Sequence, residues 1–220
     1  MTIIVVLAAV VAPVIALAVA KPVTPSPGAL VGSAHPVFSW TLPPNERSDA
    51  IFVANRPNTT PAGRFPDANI ADASYFTRDG VLRYSPARRF YAGRYWWLVE
   101  SSDLTTYRVS YSAPVDFRIP ARTSLLGVKF THRLPGRLSI DVRWTTNTRE
   151  LVVRERVLLG KKRLFGGTER RTVPPIGGVR HTLFVFATPE SVKPGTLLRL
   201  EATVAGIGHA ETATRYFRAP

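Results

Sequence analysis

Two groups of basic residues in the second half of the chain are the residues best suited to bind a ligand. The groups flank Leu164–Glu169 and consist of Lys161, Lys162, Arg163, Arg170 and Arg171. We predict that the segment between them, with Gly166 and Gly167 as the turn, is a hairpin tip, which would bring both groups together. Five cations at one tip would attract an anionic cell-envelope polymer or a membrane surface, with an affinity that falls as salt is added. The alternative is a solvated loop that only keeps the domain soluble.

The charge of the whole chain also favours an anionic partner. Its 220 residues include 29 Lys and Arg against 15 Asp and Glu, which gives a net charge of +14. Residues 21–120 account for +3 of this charge and residues 121–220 for +11. Nucleic acid is not the expected partner, because no aromatic side chains interleave the basic groups and the N-terminus described below favours export.

No residue pattern indicates catalysis, a cofactor or a metal ion. The histidines are far apart in the sequence: His35, His132, His181 and His209. Asp67, Asn69 and Asp72 have the oxygen ligands and close spacing that calcium uses, but their segment lacks the glycine and the bidentate glutamate of the known loop type. The chain contains no cysteine, which excludes disulfides and thiolate metal sites. We therefore predict no catalytic, cofactor-binding or metal-binding residue.

The first twenty residues are an apolar segment long enough to span a bilayer. Ile3–Ala20 carries no charge, and as a helix it would be about 27 Å long. Residues 18–20 (AVA) match the small-x-small pattern of a signal-peptide cleavage site, and Pro13 would interrupt a straight span. We predict a cleaved signal peptide at residues 1–20, with an uncleaved membrane anchor as the alternative. Either one makes the protein secreted or part of the cell envelope.

The centre of the first half is an aromatic segment. Tyr95–Val99 (YWWLV) has the two-residue period of a β-strand on a packed sheet. Aromatic side chains bury the most area per residue, so this strand is the predicted centre of a core. We predict that Trp97 and Trp40 lie on facing inner surfaces with Tyr95 beside them, and that Trp96 lies on the opposite side of the strand.

Short predicted strands separated by Pro, Gly and polar turns continue along the chain, and no helical period is sustained after the N-terminus. Pro120 divides them into two sets, which predict β-sandwiches at residues 37–120 and 121–220. Residues 21–36 are rich in proline and are predicted to be a linker with an edge strand. Residues 57–79 show little periodicity and are predicted to be a long loop.

Four segments of the first half carry a resemblance to a known family: FSWTLPP, AIFVA, LRYSPARRFYAGRYWWLVESSD and YSAPVDFRIP. Together they resemble a fibronectin type III domain of the kind found in bacterial secreted proteins. Trp40 matches the core tryptophan of the family's second strand, and Phe90–Tyr95 matches the turn before the sixth strand, which ends in a corner tyrosine. In the second half Val192–Leu198 keeps the Pro-Gly-Thr of that turn, with Leu198 in place of the tyrosine. The resemblance implies a β-sandwich that acts as a spacer or a binding module.

We therefore expect an all-β protein of two tandem fibronectin-III/Ig-like β-sandwiches after an N-terminal apolar signal or anchor helix. The expected function is that of an exported, non-enzymatic binding or spacer module, which contacts anionic polymers through its second domain. The alternative is an envelope enzyme that acts on polysaccharide, with its site near the loop at residues 57–79. Such an enzyme would have convergent groups near Asp67 or Asp72, which a binding module lacks.

Overall fold

The computed structural model describes residues 19–134, 137–174, 177–188, 190 and 192–219. The predicted signal peptide or anchor at residues 1–20 lies almost entirely outside them. No helix among the described residues is long and apolar enough to cross a membrane. Regular structure in this part of the chain consists of β-strands and one 3-10 turn at Asp67–Asn69. The predicted all-β fold class is confirmed.

The strands of the first half form one sandwich of two facing sheets: β1 (Lys21–Thr24), β2 (Ala29–Leu30), β3 (Phe38–Thr41), β4 (Glu46–Ala54), β5 (Ile70–Tyr75), β6 (Arg83–Tyr84), β7 (Gly93–Asp103), β8 (Val109–Tyr111) and β9 (Val115–Ile119). The smaller sheet has the order β1-β3-β6. The larger sheet has the order β2-β9-β7-β4-β5, and β8 pairs with the end of β7. Only β2 and β9 pair in parallel among these strands.

The strands of the second half form a second sandwich: β10 (Thr123–Leu134), β11 (Arg137–Thr146), β12 (Glu150–Leu159), β13 (Lys162–Thr172), β14 (Arg180–Ala187), β15 (Leu197–Gly206) and β16 (His209–Arg218). One sheet has the order β10-β11-β14 and the other β13-β12-β15-β16. All these pairs are antiparallel. Three strands facing four is the arrangement of a fibronectin-III-like sandwich, and the core strands of the first sandwich follow the same order.

Two segments without an apolar alternation in the sequence also contribute strands. Residues 21–36, predicted to be a linker with an edge strand, provide β1, which pairs with β3, and β2, which pairs with β9. The predicted loop at residues 57–79 contains β5, which pairs with β4. Each of these strands lies at the edge of its sheet. An edge strand is held mainly by backbone hydrogen bonds to one neighbour, and few of its side chains are buried. Its sequence therefore needs no apolar alternation, so a two-residue period does not reveal it.

The inner core of the first sandwich is aromatic. Trp97 and Phe38 are fully buried, and their ring centroids are 5.1 Å apart. Trp40 is 2% exposed, and its indole N–H donates a hydrogen bond of 2.7 Å to the Ser48 hydroxyl. Tyr95 is buried in the same cluster. The prediction that Trp40 and Trp97 meet in one core is therefore confirmed.

The other face of the larger sheet is covered as well. Phe65, from the connection between β4 and β5, is 1% exposed and packs with Phe52 and Leu98. Trp96 packs against this outer cluster, on the side of the sheet opposite Trp97, as predicted. The Arg64 guanidinium lies 5.0 Å from the centre of the Phe52 ring. The long connection thus serves as a hydrophobic cover for the sheet.

The turn before the penultimate core strand is closed differently in the two sandwiches. In the first, the Tyr95 hydroxyl donates a hydrogen bond of 3.1 Å to the Tyr91 carbonyl, which is the tyrosine corner that the resemblance implies. In the second, Leu198 occupies this place and is 1% exposed. There the Gly195 amide donates a hydrogen bond of 2.9 Å to the Ala219 carbonyl, so the C-terminal segment secures the turn.

Asn147, in the turn between β11 and β12, connects the two sandwiches. Its side-chain Oδ1 accepts a hydrogen bond of 2.7 Å from the Arg122 amide, and its Nδ2 donates one of 2.9 Å to the Pro120 carbonyl. Its own carbonyl accepts one of 2.8 Å from the Ala92 amide in the first sandwich. The Tyr91 hydroxyl reaches a backbone carbonyl of the second sandwich at 2.6 Å. These bonds tie the linker and the first sandwich to the second.

Candidate functional site

The five basic residues that the sequence singles out do not form a hairpin tip, so that prediction is wrong. The turn between β12 and β13 ends before Lys162, and Leu164–Glu169 lies inside β13. An extended strand rises about 3.3 Å per residue, which places Arg163 and Arg170 about 23 Å apart. All five are exposed, but Lys161 lies in the turn before β13, Lys162 and Arg163 at the start of that strand, and Arg170 and Arg171 near its end.

The tertiary structure instead brings Arg163 to two arginines of the neighbouring strand. Arg154 and Arg156 project from the exposed face of β12. Together with Arg163 they line an open cleft of about 320 Å³ on the outer face of the four-stranded sheet. Two threonine hydroxyls and the Glu201 carboxylate add to its polar lining, and Glu155 and Gly167 also border it. We call this surface the arginine cleft and define it by Arg154, Arg156, Arg163, Thr168, Glu201 and Thr203.

The register of the sheet places a hydroxyl on each side of Arg154. This arginine lies opposite Thr168 on β13 and opposite Thr203 on β15. The hydroxyl oxygen of Thr203 is 2.9 Å from that of Thr212 on β16, so one hydrogen bond of this group is already made. Adjacent strands are about 4.8 Å apart, so both flanking hydroxyls are within reach of a group bound at the Arg154 guanidinium.

One carboxylate moderates the positive charge of the arginine cleft. Glu201 lies opposite Arg156 and forms ion pairs with Arg156 and with Arg199, the latter at 3.3 Å. Arg154 forms no ion pair with an acidic side chain in the part of the chain that the structure describes. The Arg154 guanidinium is therefore free to donate hydrogen bonds to an incoming anion.

Gly166 and Gly167 lie within β13, not in a hairpin turn as predicted, and both allow close packing beside the cleft. A Cβ atom at Gly166 would lie 2.6 Å from the Glu155 carbonyl oxygen and 2.7 Å from Nη2 of Arg163. A Cβ atom at Gly167 would lie 2.9 Å from Oε1 of Glu155 and 3.1 Å from the Phe184 ring. A side chain at Gly166 would therefore displace Arg163 from its position over the sheet.

A buried carboxyl lies directly behind the arginine cleft. Glu155 is 2% exposed, and neither of its side-chain oxygens has a hydrogen-bond partner among the described residues. Burial raises the pKa of this carboxyl to about 7. The Gly167 amide, which approaches without reaching hydrogen-bond geometry, and the charge of Arg163 act to lower the pKa. Glu155 is thus an acid whose charge is costly in its present surroundings.

Asp67 and Asp72, the acids of the alternative enzyme hypothesis, do not converge. Asp67 pairs with Arg64 at 2.7 Å, and Asp72 pairs with Arg88 at 3.1 Å. The Tyr84 hydroxyl also donates a hydrogen bond of 3.0 Å to Asp72, and burial raises the pKa of Tyr84 to about 12. Within the described ranges no three side chains capable of binding a metal ion cluster. The enzyme hypothesis gains no support from these residues.

Sequence reasoning found only one arginine of the cleft. Arg154 and Arg156 alternate with Glu155 in the segment LVVRERVLL, a pattern that indicates an exposed face but not its neighbours. The members of the cleft come from three different strands, β12, β13 and β15. Their proximity depends on strand register, which a single sequence leaves open.

No protein-family model matches the sequence, and no curated protein is similar to it. Several solved structures are similar. The chicken CNTN1 FN1-FN3 domains align over 91% of this chain and 68% of that chain, with 12% identity and a TM-score of 0.31. The chicken interferon gamma receptor alpha chain aligns over 90% and 100%, with 10% identity and a TM-score of 0.34. An α-L-rhamnosidase from Dictyoglumus thermophilum aligns over 89% and 28%, with 14% identity and a TM-score of 0.32. At these TM-scores the fold class rests on the strand order itself.

Proposed function

We propose that this chain is an exported, non-enzymatic binding module of the cell envelope or the extracellular space, which contacts an anionic polymer through the arginine cleft. The observation that carries the proposal is the grouping of three arginines on one open sheet face, with Glu201 paired to one of them. Guanidinium groups donate paired hydrogen bonds to phosphate and carboxylate oxygens. An open face accommodates an extended polymer, whereas small molecules are bound in enclosed pockets.

In this proposal the first sandwich is a spacer that presents the second. The hydrogen bonds of Asn147 to the linker and to Ala92 support a set orientation between the two. Export rests on the apolar residues 1–20, and cleavage after Ala20 would release the chain where β1 begins. N-terminal sequencing of the protein from the culture medium should give Lys21 as the first residue. Recovery of the full-length chain in the cytosol would contradict export.

The binding proposal is tested by removing three charges from the cleft and three from elsewhere. We expect R154S/R156S/R163S to lose most of its retention on an immobilised anionic envelope polymer and to show a weaker dependence on salt. The matched control is R78S/R108S/R118S, which removes the same charge from exposed positions of the first sandwich. The measurement is the salt concentration that elutes each variant.

The control variant shows whether polymer binding depends on the arginine cleft or only on the net charge of the protein. If the cleft binds the polymer, R78S/R108S/R118S elutes close to the wild type. Equal losses of retention in both variants would mean that the excess of basic residues acts as a whole, without a site.

A further variant addresses the sequence-based prediction. It replaces with serine the basic residues outside the cleft: Lys161, Lys162, Arg170 and Arg171. Retention of this variant at the wild-type salt concentration would assign the binding to the cleft.

A further inference from the structure

We infer that the arginine cleft is built for a hydroxylated polyanion, a polymer in which phosphate or carboxylate groups alternate with sugar or polyol hydroxyls. The inference rests on the proposed function and adds the chemical class of the polymer. It comes from the groups that accompany the arginines, since a surface that recognised charge alone would need neither hydroxyls nor a carboxylate. Arg154 lies between Thr168 and Thr203, and Arg156 lies beside Glu201.

The threonines supply hydrogen bonds of a kind that an anion alone does not need. A hydroxyl donates one hydrogen bond and accepts others, so it can bind a sugar hydroxyl in either direction. Thr168 is exposed, and its hydroxyl has no hydrogen-bond partner among the described residues. Thr203 keeps bonding capacity beyond its single contact with Thr212. A ligand whose anionic group sits on Arg154 would therefore find hydroxyl partners to both sides of it.

Glu201 selects against a polymer of uninterrupted charge. An ionised carboxylate accepts hydrogen bonds and donates none, so it repels a phosphate and attracts a hydroxyl. Its ion pairs with Arg156 and Arg199 hold it within the cleft. A chain with a phosphate at every position would place charge against Glu201. A chain with hydroxyl-bearing units between its anions can place a hydroxyl there instead.

The spacing of the arginines suits repeated anions. Arg154 and Arg156 are two residues apart on one strand, which separates their Cα atoms by about 6.6 Å. Both side chains project from the same exposed face, and Arg163 lies over Gly166 on the neighbouring strand. The cleft is open to solvent, so a polymer can cross it and continue on either side. Successive anions of one chain can thus meet successive guanidinium groups.

The test compares three soluble polymers of matched chain charge at one salt concentration: poly(glycerol phosphate), polygalacturonate and inorganic polyphosphate. The variant T168V/T203V removes both hydroxyls and keeps side-chain shape and β-propensity. We expect its affinity for the two hydroxylated polymers to fall about tenfold, with binding of polyphosphate unchanged. The variant T168S/T203S keeps the hydroxyls and should bind like the wild type. E201Q should strengthen the binding of polyphosphate more than that of the other two.

The outcomes separate this inference from the proposed function. Binding of all three polymers that depends on the three arginines but is indifferent to T168V/T203V would overturn the inference and leave the proposed function standing. Loss of all three polymers to the same extent in T168V/T203V would also overturn it. Binding that survives R154S/R156S/R163S would overturn the proposed function. The comparison between poly(glycerol phosphate) and polygalacturonate then shows whether the anion is phosphate or carboxylate.

Discussion

The two sandwiches share a strand order, but the outer face of the larger sheet is covered in the first sandwich and open in the second. In the first, the connection between β4 and β5 is long and lays Phe65 onto Phe52 and Leu98. In the second, the corresponding connection between β12 and β13 is a tight turn, and the same face carries Arg154 and Arg156 in the open. The inner core sets the fold in both. The length of one connection decides whether the outer face is packed or available for binding.

The inner cores differ in their tolerance of polar groups. The first is lined by aromatic rings, whose indole N–H groups find acceptors. The second includes Glu155 in the apolar phase of β12, between Val153 and Val157, without a hydrogen-bond partner among the described residues. We therefore expect the first sandwich to be sensitive to loss of volume and the second to be sensitive to pH.

The largest expected effect is on the first core. Trp97→Ala should lower the free energy of unfolding by about 3–5 kcal/mol, because a fully buried indole is replaced by a cavity. Trp96→Ala should cost roughly 1–2 kcal/mol, since this ring is partly exposed and its cluster is smaller. Urea unfolding followed by circular dichroism measures both. A larger loss for Trp96→Ala would mean that the inward and outward faces of β7 are interchanged.

The next effect is a pH dependence located in the second core. Burial raises the pKa of Glu155 from 4.5 to about 7, so the folded state holds this proton more tightly than the unfolded state. The stabilisation by the protonated form is complete below pH 4.5, falls as the pH rises to about 7, and is absent above it. The loss should be on the order of 3 kcal/mol.

The control for this prediction is Glu155→Gln, which keeps the shape of the side chain and does not titrate. The difference in unfolding free energy between wild type and variant, measured from pH 4 to pH 8, should change across the interval between 4.5 and 7. A difference that stays constant with pH would show that the carboxyl does not change its protonation there. The expected sensitivity of the second core to pH would then be contradicted.

The smallest effect concerns the tyrosine corner. Tyr95→Phe removes the hydrogen bond to the Tyr91 carbonyl and should cost about 1 kcal/mol, with the aromatic packing kept. Tyr107→Phe is a suitable control, because Tyr107 is 76% exposed and its hydroxyl has no hydrogen bond within the described structure. Thermal unfolding of both variants gives the comparison. Equal melting temperatures for the two variants would mean that the hydrogen bond of the tyrosine corner does not stabilise the first sandwich. The second sandwich, with Leu198 at this place, would then lose nothing by lacking that bond.

The core strands were predictable because their signal is local. Tyr95–Val99 carries large aromatic or aliphatic residues at every position, and such a strand can bury both of its rows only on a packed sheet. The tyrosine corner was also predictable, since the turn and its tyrosine lie within six residues of one another. The prolines of residues 21–36 predicted an edge strand where β1 lies, whereas β5 was not predicted because it lies at a sheet edge and carries no periodic apolar pattern. Their pairing depends on partners far away in the chain.

The site was less predictable than the fold. Arg163 and Arg170 are close in sequence, but an extended strand carries them apart. Arg154 and Thr203 are distant in sequence, but register places them side by side. The hairpin prediction failed because Gly166 and Gly167 suggested a turn, whereas they are required within β13 by the close approach of Glu155 and Arg163.

By itself the sequence determined the all-β class, the division into two sandwiches, the aromatic core and the excess of positive charge in the second half. These follow from composition, charge and a two-residue period, all of which are properties of neighbouring residues. Only the tertiary structure decided which arginines share a surface, which face of each larger sheet is covered, and that Glu155 is buried with no hydrogen-bond partner among the residues that the structure describes. Those properties arise from register and from packing between distant strands, where a shift by one residue would exchange the inner and outer faces.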